Sequence, residues 1–285
     1  MSADIQKIAV IGAGTMGIGI AQVAALSGFR VSVFDASADA LAAGREKMKG
    51  SLERAAAKGM LSGADMAQAL SRLTMAASMK DAVSSADLII EAVPENLDLK
   101  RSIIKEVSSF APQHAVIASN TSSLPLTELA KAASDPTRVI GMHFFNPPMV
   151  LKLLEIVCTE HTSEESCQIA RRVGERMGRE IIQVKDSPGF ATSRLGVVLA
   201  LEAMRMVETG VASAEDIDRA MEHGYKHQMG PLRTTDLVGL DVRLAIAEHL
   251  HKTLGGEQYR APEILRMRVK EGKLGKKTGQ GFYKW

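Results

Sequence analysis

With 285 residues the chain is longer than a usual single domain and shorter than two large ones, so two domains of unequal size are expected. A composition of 46% hydrophobic and 24% charged residues, with a formal charge of +2, is that of a globular protein and excludes a general polyanion binder such as a nucleic-acid protein. Aromatics at 4% give no stacking platform for bases, and no run of about 18 apolar residues offers a membrane span.

Met1 to Gln6 enter an apolar run with no basic segment or small-residue cleavage site, so no signal peptide is expected and the chain is read as cytoplasmic. Lys7 to Ile11 (KIAVI) has the β-branched, uninterrupted character of a parallel strand buried on both faces. Gly17 to Leu26 reads as a helix and Val31 to Asp35 as a second strand, closing a βαβ unit of about 30 residues. Two helical stretches, Ser37 to Lys58 and Gly63 to Arg72, exceed the needs of one crossover and predict a helical pair projecting from the sheet. Strand-like runs resume at Leu73 to Ala76, Leu88 to Val93, Ala115 to Ser119, Val139 to Phe144 and Leu153 to Val157, mostly with helix-like segments between them. These predict an α/β fold with a doubly wound parallel sheet. The turn cluster DSPG at Asp186 to Gly189 breaks the pattern, and helices take over. Leu195 to Val207 is apolar nearly all round, which suits burial between helices or in a subunit interface. Ser213 followed by Asp216 resembles a capping box with Asp in place of Glu. The expected domains are therefore 1–185 and 186–285, the second smaller and all-helical. Cys158 and Cys167 lack partners at zinc or CxxC spacing and are read as ordinary thiols rather than a disulfide or metal site, so no metal is expected.

Gly12, Gly14 and Gly17 form GxGxxG after a strand and before a helix, the context that gives this pattern meaning. The first glycine permits a tight turn, the second lets backbone approach a pyrophosphate, and the third allows close helix packing. Thr15 and Met16 lie inside the same loop and join the cofactor-binding candidates. Asp35 ends the next strand, where a carboxylate accepts hydrogen bonds from an adenosine ribose and repels a 2′-phosphate, so NAD is expected over NADP in a Rossmann-like domain. Glu91 and Glu95 bracket EAVPEN at a strand end, with Lys100 beyond. Glu95 and Lys100 suit contacts to the nicotinamide ribose; the competing reading is a helix-start carboxylate and a solvated lysine. SNTSSLP, Ser119 to Pro125, either caps a helix or faces a ligand.

His143 and Glu155 lie in two apolar strands with Pro147 and Pro148 forcing a turn between them. A carboxylate amid Leu153, Leu154, Ile156 and Val157 is costly to bury unless it is paired, and His143 is the nearest available partner in the sequence. Glu155 would fix the ring tautomer, leaving the other nitrogen to take a proton from an alcohol. The alternative is a structural core histidine. The other histidines, at 114, 161, 223, 227, 249 and 251, lack this setting.

VIGAGTMGIGIA, AVPENLDLK, SNTSSLP, GMHFFNPP with LLEIV, DSPGF, GPLRTTDLVGLD and GKKTGQGFY, in this order and across essentially the whole chain, resemble the 3-hydroxyacyl-CoA dehydrogenases, including bacterial 3-hydroxybutyryl-CoA dehydrogenases. The resemblance implies NAD-dependent oxidation of (S)-3-hydroxyacyl-CoA to 3-oxoacyl-CoA and the reverse. It implies His143 as general base, Glu155 as its partner, and Ser122 near both cofactor and substrate. Asn146 matches a further active-site position, Lys277 a cofactor contact, and Ser51 and Lys58 the CoA grip. The second domain would serve substrate closure and homodimer formation. One departure stands out: the family usually reads PGFxxNR, with the Asn positioning the substrate carbonyl, whereas Ser193 stands at that place here. Its hydroxyl still donates a hydrogen bond but reaches about one bond less far. Two rival readings stay open, a dehydrogenase of a small hydroxy acid without CoA and a non-catalytic NAD-binding relative.

Overall fold

A computed structural model describes residues 5–285; the start of the leader reading, at positions 1–4, lies outside the described residues. The chain divides into two compact units, one running to Asp186 and the other from Ser187 to Trp285. In the first, β1 (Lys7–Ile11), β2 (Arg30–Phe34), β3 (Leu73–Met75), β4 (Leu88–Glu91), β5 (Val116–Ser119), β6 (Val139–Phe144), β7 (Leu153–Cys158) and β8 (Glu180–Lys185) make one sheet in the order β3-β2-β1-β4-β5-β6-β7-β8. The order reverses between β1 and β4, so the loops after these two strands open a crevice at their carboxyl ends, the place where open α/β sheets take ligands.

The sheet departs from the expected parallel pattern at one pair. β6 and β7 are antiparallel, because residues 145–152 that join them contain no helix and are too few for a crossover. α7 (Glu164–Arg176) then supplies a crossover, and β8 returns parallel to β7. β8 was not among the expected strands; EIIQVK is an edge strand with its outermost residues exposed, so it carries no continuous apolar run. β4 stops at Glu91, short of the expected Val93, because the Val93 N–H turns back to the Glu91 carboxylate at 2.7 Å.

α1 (Thr15–Leu26) is buried along Gly17 to Ala25 beneath the sheet's first strands. The helical pair predicted to project is α2 (Ala38–Ala57) and α3 (Gly63–Ser71). Gly44, Met48 and Leu52 recur at four-residue spacing on the buried side of α2, so its middle is packed while residues 57–60 are exposed. The remaining helices of this unit are α4 (Met79–Val83), α5 (Leu97–Phe110) and α6 (Leu126–Ala130).

The second unit is helical: α8 (Thr192–Glu208), α9 (Ala214–Arg219), α10 (Pro231–Val238), α11 (Leu240–Leu254) and α12 (Glu263–Lys270) enclose a core that includes Val197, Leu201, Met204, Leu232, Leu250 and Leu265. α9 starts with the expected box, since Ser213 Oγ accepts from Asp216 N at 3.1 Å and donates to its carboxylate at 2.8 Å. No helix among the described residues is long and apolar enough to cross a membrane. Cys158 and Cys167 are free thiols, and burial, followed by the neighbouring Cys167, pushes the Cys158 thiol up to about 12.

Candidate active site

The loop after β1 is shaped by its glycines. Gly12 has φ +109° and donates to Phe34 O at 2.8 Å, while a Cβ on it would come within 2.7 Å of Ala92 O in the loop after β4. A Cβ on Gly17 would strike Gly12 O, so helix and turn touch backbone to backbone. Gly14 differs: nothing lies within 4 Å of where its Cβ would be, and as N-cap of α1 it supplies no side-chain bond. The first turn of α1 also lacks an acidic residue, which leaves its N–H groups and the positive end of its dipole for an anion. This cradle fits the pyrophosphate of a dinucleotide. Thr15 is exposed and Met16 half-buried beside it. Lys47 on α2 reaches the same loop, donating to Thr15 Oγ1 at 3.2 Å; it was missed in sequence because only the packing of α2 on α1 brings it there.

Asp35, just past β2, accepts from Ala13 N at 2.7 Å and Ser37 N at 2.9 Å, so the carboxylate is aimed by the glycine loop itself. Each oxygen has a second lone pair for a ribose hydroxyl.

At the end of β4 the buried Glu91 accepts from Lys100 Nζ at 2.7 Å, Val93 N at 2.7 Å and Ser119 Oγ at 2.6 Å. Lys100 is only 1% exposed, which overturns the solvated-lysine reading. Its ammonium also donates to Val93 O at 3.1 Å and sits 3.5 Å from Glu95 Oε2. A single oxygen of Glu95 gathers Thr121 Oγ1 at 2.7 Å, Ser122 N at 2.9 Å and Oγ at 3.1 Å, and Ser123 N at 3.1 Å. Burial works against ionisation of Glu95, but Lys100 and these donors outweigh it and hold the carboxyl below its ordinary value. SNTSSLP thus serves to organise Glu95 and the Ser122 beside it. Glu91 was not expected as a site residue, although a carboxylate closing the apolar run LII carries the same signal that exposed Glu155.

β6 and β7 pair with His143 directly opposite Glu155. Directly opposed residues point to the same face of a sheet, and His143 Nδ1 lies 2.7 Å from Glu155 Oε2, with the two residues 7% and 0% exposed. An ionised carboxylate only accepts, so Nδ1 carries the proton and the neutral ring has its lone pair at Nε2. The ring packs on Phe145 at 4.4 Å between centroids, and Asn120 Oδ1 accepts from Phe144 N at 2.8 Å, tying the end of β6 to the loop after β5. Asn146 follows, exposed, before a cis peptide to Pro147.

The structure places the other expected residues as follows. Ser51 is on α2 and accepts from Gln22 Nε2 at 3.2 Å, and Lys58 is exposed at the end of the same helix, two turns on. Ser193 stands in the first turn of α8. Lys277, in the second unit, is paired bidentately with Asp241 at 2.6 and 2.7 Å. Among the described residues no group of three or more His, Cys, Asp or Glu is arranged to hold a metal.

Comparison with known proteins shows the family. Residues 7–187 match the family model described as 3-hydroxyacyl-CoA dehydrogenase, NAD binding domain, and residues 189–285 match the one described as its C-terminal domain. The chain is 43% identical to a probable 3-hydroxybutyryl-CoA dehydrogenase of Bacillus subtilis, over 98% of this chain and 97% of that protein. It is 39% identical to the mitochondrial hydroxyacyl-coenzyme A dehydrogenase of Homo sapiens, over 99% of this chain and 91% of that one. The crystal structure of (S)-3-hydroxybutyryl-CoA dehydrogenase from Ralstonia eutropha superposes with a TM-score of 0.96 at 39% identity, covering 99% of each chain. The chain therefore belongs to the 3-hydroxyacyl-CoA dehydrogenase family, as an NAD-dependent oxidoreductase.

Proposed function

We propose that this dehydrogenase interconverts short-chain (S)-3-hydroxyacyl-CoA, such as 3-hydroxybutyryl-CoA, and 3-oxoacyl-CoA, with His143 as the base that takes the hydroxyl proton. The observation that carries this reading is the buried Nδ1 to Glu155 bond of 2.7 Å, which orients the ring and stabilises the imidazolium that forms. NAD, when bound, accepts the hydride from the carbinol carbon. Gly12, Gly14, Thr15, Met16 and Gly17 would hold its pyrophosphate, with Lys47 adding positive charge, and Asp35 would take the adenosine ribose. Glu95, with Lys100 behind it, would take the nicotinamide ribose. Ser122, its hydroxyl turned to Glu95, would be a hydrogen-bonding contact near both cofactor and substrate, with Asn146 and Ser193 as further substrate contacts, and Ser51 and Lys58 would meet CoA. Lys277 is assigned to the cofactor on resemblance alone, since its ammonium is engaged by Asp241.

The test is a panel of (S)-3-hydroxyacyl-CoAs of rising chain length and a free 3-hydroxy acid, each with NAD and NADP. Thioesters with NAD should dominate, with an optimum at short chains. Equal turnover of the free acid would overturn the CoA assignment, and no turnover at all would favour a non-catalytic relative. Homodimer formation through the second unit and a cytoplasmic location complete the proposal. Exposed Leu195, Leu237, Val238 and Val242 support the dimer, and a monomeric mass by light scattering would overturn it.

A further inference from the structure

Cys158 and Cys167 are the two cysteines of the chain, and they meet. Cys158 closes β7 and is half-buried, while Cys167 is the fourth residue of α7 and is buried. Their Sγ atoms stand 2.7 Å apart as free thiols. The turn that joins the two elements is pinned at both ends. Thr162 Oγ1 accepts from Thr159 N at 2.9 Å and donates to Val139 O at 2.8 Å, and Ser163 Oγ caps α7 by accepting from Ser166 N at 3.1 Å. Farther along the same contact a Cβ on Gly174 would come within 2.7 Å of Leu154 Cδ2, so α7 lies close against β7 over about two turns.

Leu154, Ile156 and Cys158 alternate along β7 and share the face that packs with Cys167, whereas Glu155 points to the other face with His143. The thiol pair therefore lies across the sheet from the proton-transfer pair. Cys158 also lines a cleft of about 760 Å³ with Thr127, Thr159, Glu160, Gln183 and Lys185, all of them in the first unit. A cleft of that size admits a small-molecule disulfide. Gln183 Nε2, 3.6 Å from Cys158 Sγ, is a donor placed to stabilise a thiolate there.

We infer that Cys158 and Cys167 form a reversible disulfide that staples β7 to α7, closed by a small-molecule disulfide entering at Cys158. In the first step the Cys158 thiolate attacks one sulfur of the incoming disulfide; a mixed S–S bond forms, the old one breaks, and the departing thiolate takes up a proton. In the second step Cys167, its proton lost to water, attacks Cys158 Sγ and the remaining small thiol leaves. Two protein thiols are oxidised and one small disulfide is reduced to two thiols. Burial and its neighbour keep the Cys158 thiol protonated at neutral pH, so closure is slow there and quickens by about tenfold per pH unit toward about pH 9.

The experiment incubates the full-length protein at about pH 8.5 with oxidised glutathione in excess over reduced, blocks the remaining thiols with an alkylating agent and weighs the intact chain. Both cysteines should escape alkylation in a single chain about 2 Da lighter and free of glutathione, and dithiothreitol should restore both. Closing a loop of about ten residues should raise the melting temperature by about 5 °C. Turnover should stay within about twofold, since the bond forms on the face away from Glu155. Cys167→Ser should stop at the glutathione adduct of Cys158. A wild-type chain that keeps the adduct, that remains alkylated at both thiols or that links to a second chain overturns the proposal, and this arm stands even where the variant fails to fold. A closed form that melts lower, or that loses turnover, overturns the staple as drawn, because strain would then reach β7 itself.

Discussion

Replacing Glu155 by Gln removes a charge and leaves the shape, so it isolates what the carboxylate contributes to the histidine. The acceptor is wholly buried and the bond is 2.7 Å. A charge-assisted hydrogen bond of this kind contributes about 1.5–3 kcal/mol, which at about 1.4 kcal/mol per tenfold predicts a fall in kcat of roughly 10- to 150-fold. An upper limit follows from Coulomb attraction between imidazolium and carboxylate, about 4 kcal/mol at a separation of about 4 Å and an effective dielectric of about 20, or nearly a thousandfold. Gln also offers an amide donor, and donation to Nδ1 would move the ring proton to Nε2 and push the loss toward that limit. The assay is steady-state oxidation of 3-hydroxybutyryl-CoA with NAD, separating kcat from KM, with circular dichroism to verify the fold. The loss should fall on kcat, because the imidazolium exists only once the proton has moved. A Glu155→Gln enzyme within about twofold of wild-type kcat would refute the general-base reasoning.

Gly12→Ala should lower the melting temperature and weaken NAD binding together, since φ +109° and the approach of Ala92 O both forbid a Cβ; an unchanged thermal melt would contradict the backbone contact described. Glu95 ionises more readily folded than unfolded, so its contribution to stability is complete above its ordinary value of 4.5 and is lost as pH falls through the lower folded value. Chemical denaturation of wild type and Glu95→Gln from neutral to acid pH should therefore show a gap that closes on acidification, and a gap independent of pH would remove the Lys100 and serine cluster as its cause.

The nucleotide loop and the acid-base pair were legible in sequence because each breaks a local pattern for a reason chemistry supplies. Glycines at a strand end and a carboxylate among aliphatic side chains both need explaining. Lys100 was less legible, yet its signal was present: Lys100, Ile104 and Val107 share the buried side of α5, so helical spacing already placed the ammonium inside. Arg243 sits likewise in register with Leu240, Ala247 and Leu250. Lys47 and β8 were invisible for a different cause. The first gains its role only from the packing of one helix on another, and the second is an edge strand whose half-exposed residues give no apolar run.

The antiparallel join between β6 and β7 separates the chemistry from the length of the segment linking them. Met142 faces Ile156, Phe144 faces Leu154, and a Cβ on Gly141 would collide with Val157, so the alignment of the two strands is locked by aliphatic neighbours. A slip of one residue would turn every side chain of β7 to the opposite face and take Glu155 away from the imidazole. Phe145 and Asn146 stay tied to the site, but the exposed side chains of residues 149–152 are open to redesign without shifting the strand register that sets the proton-transfer pair.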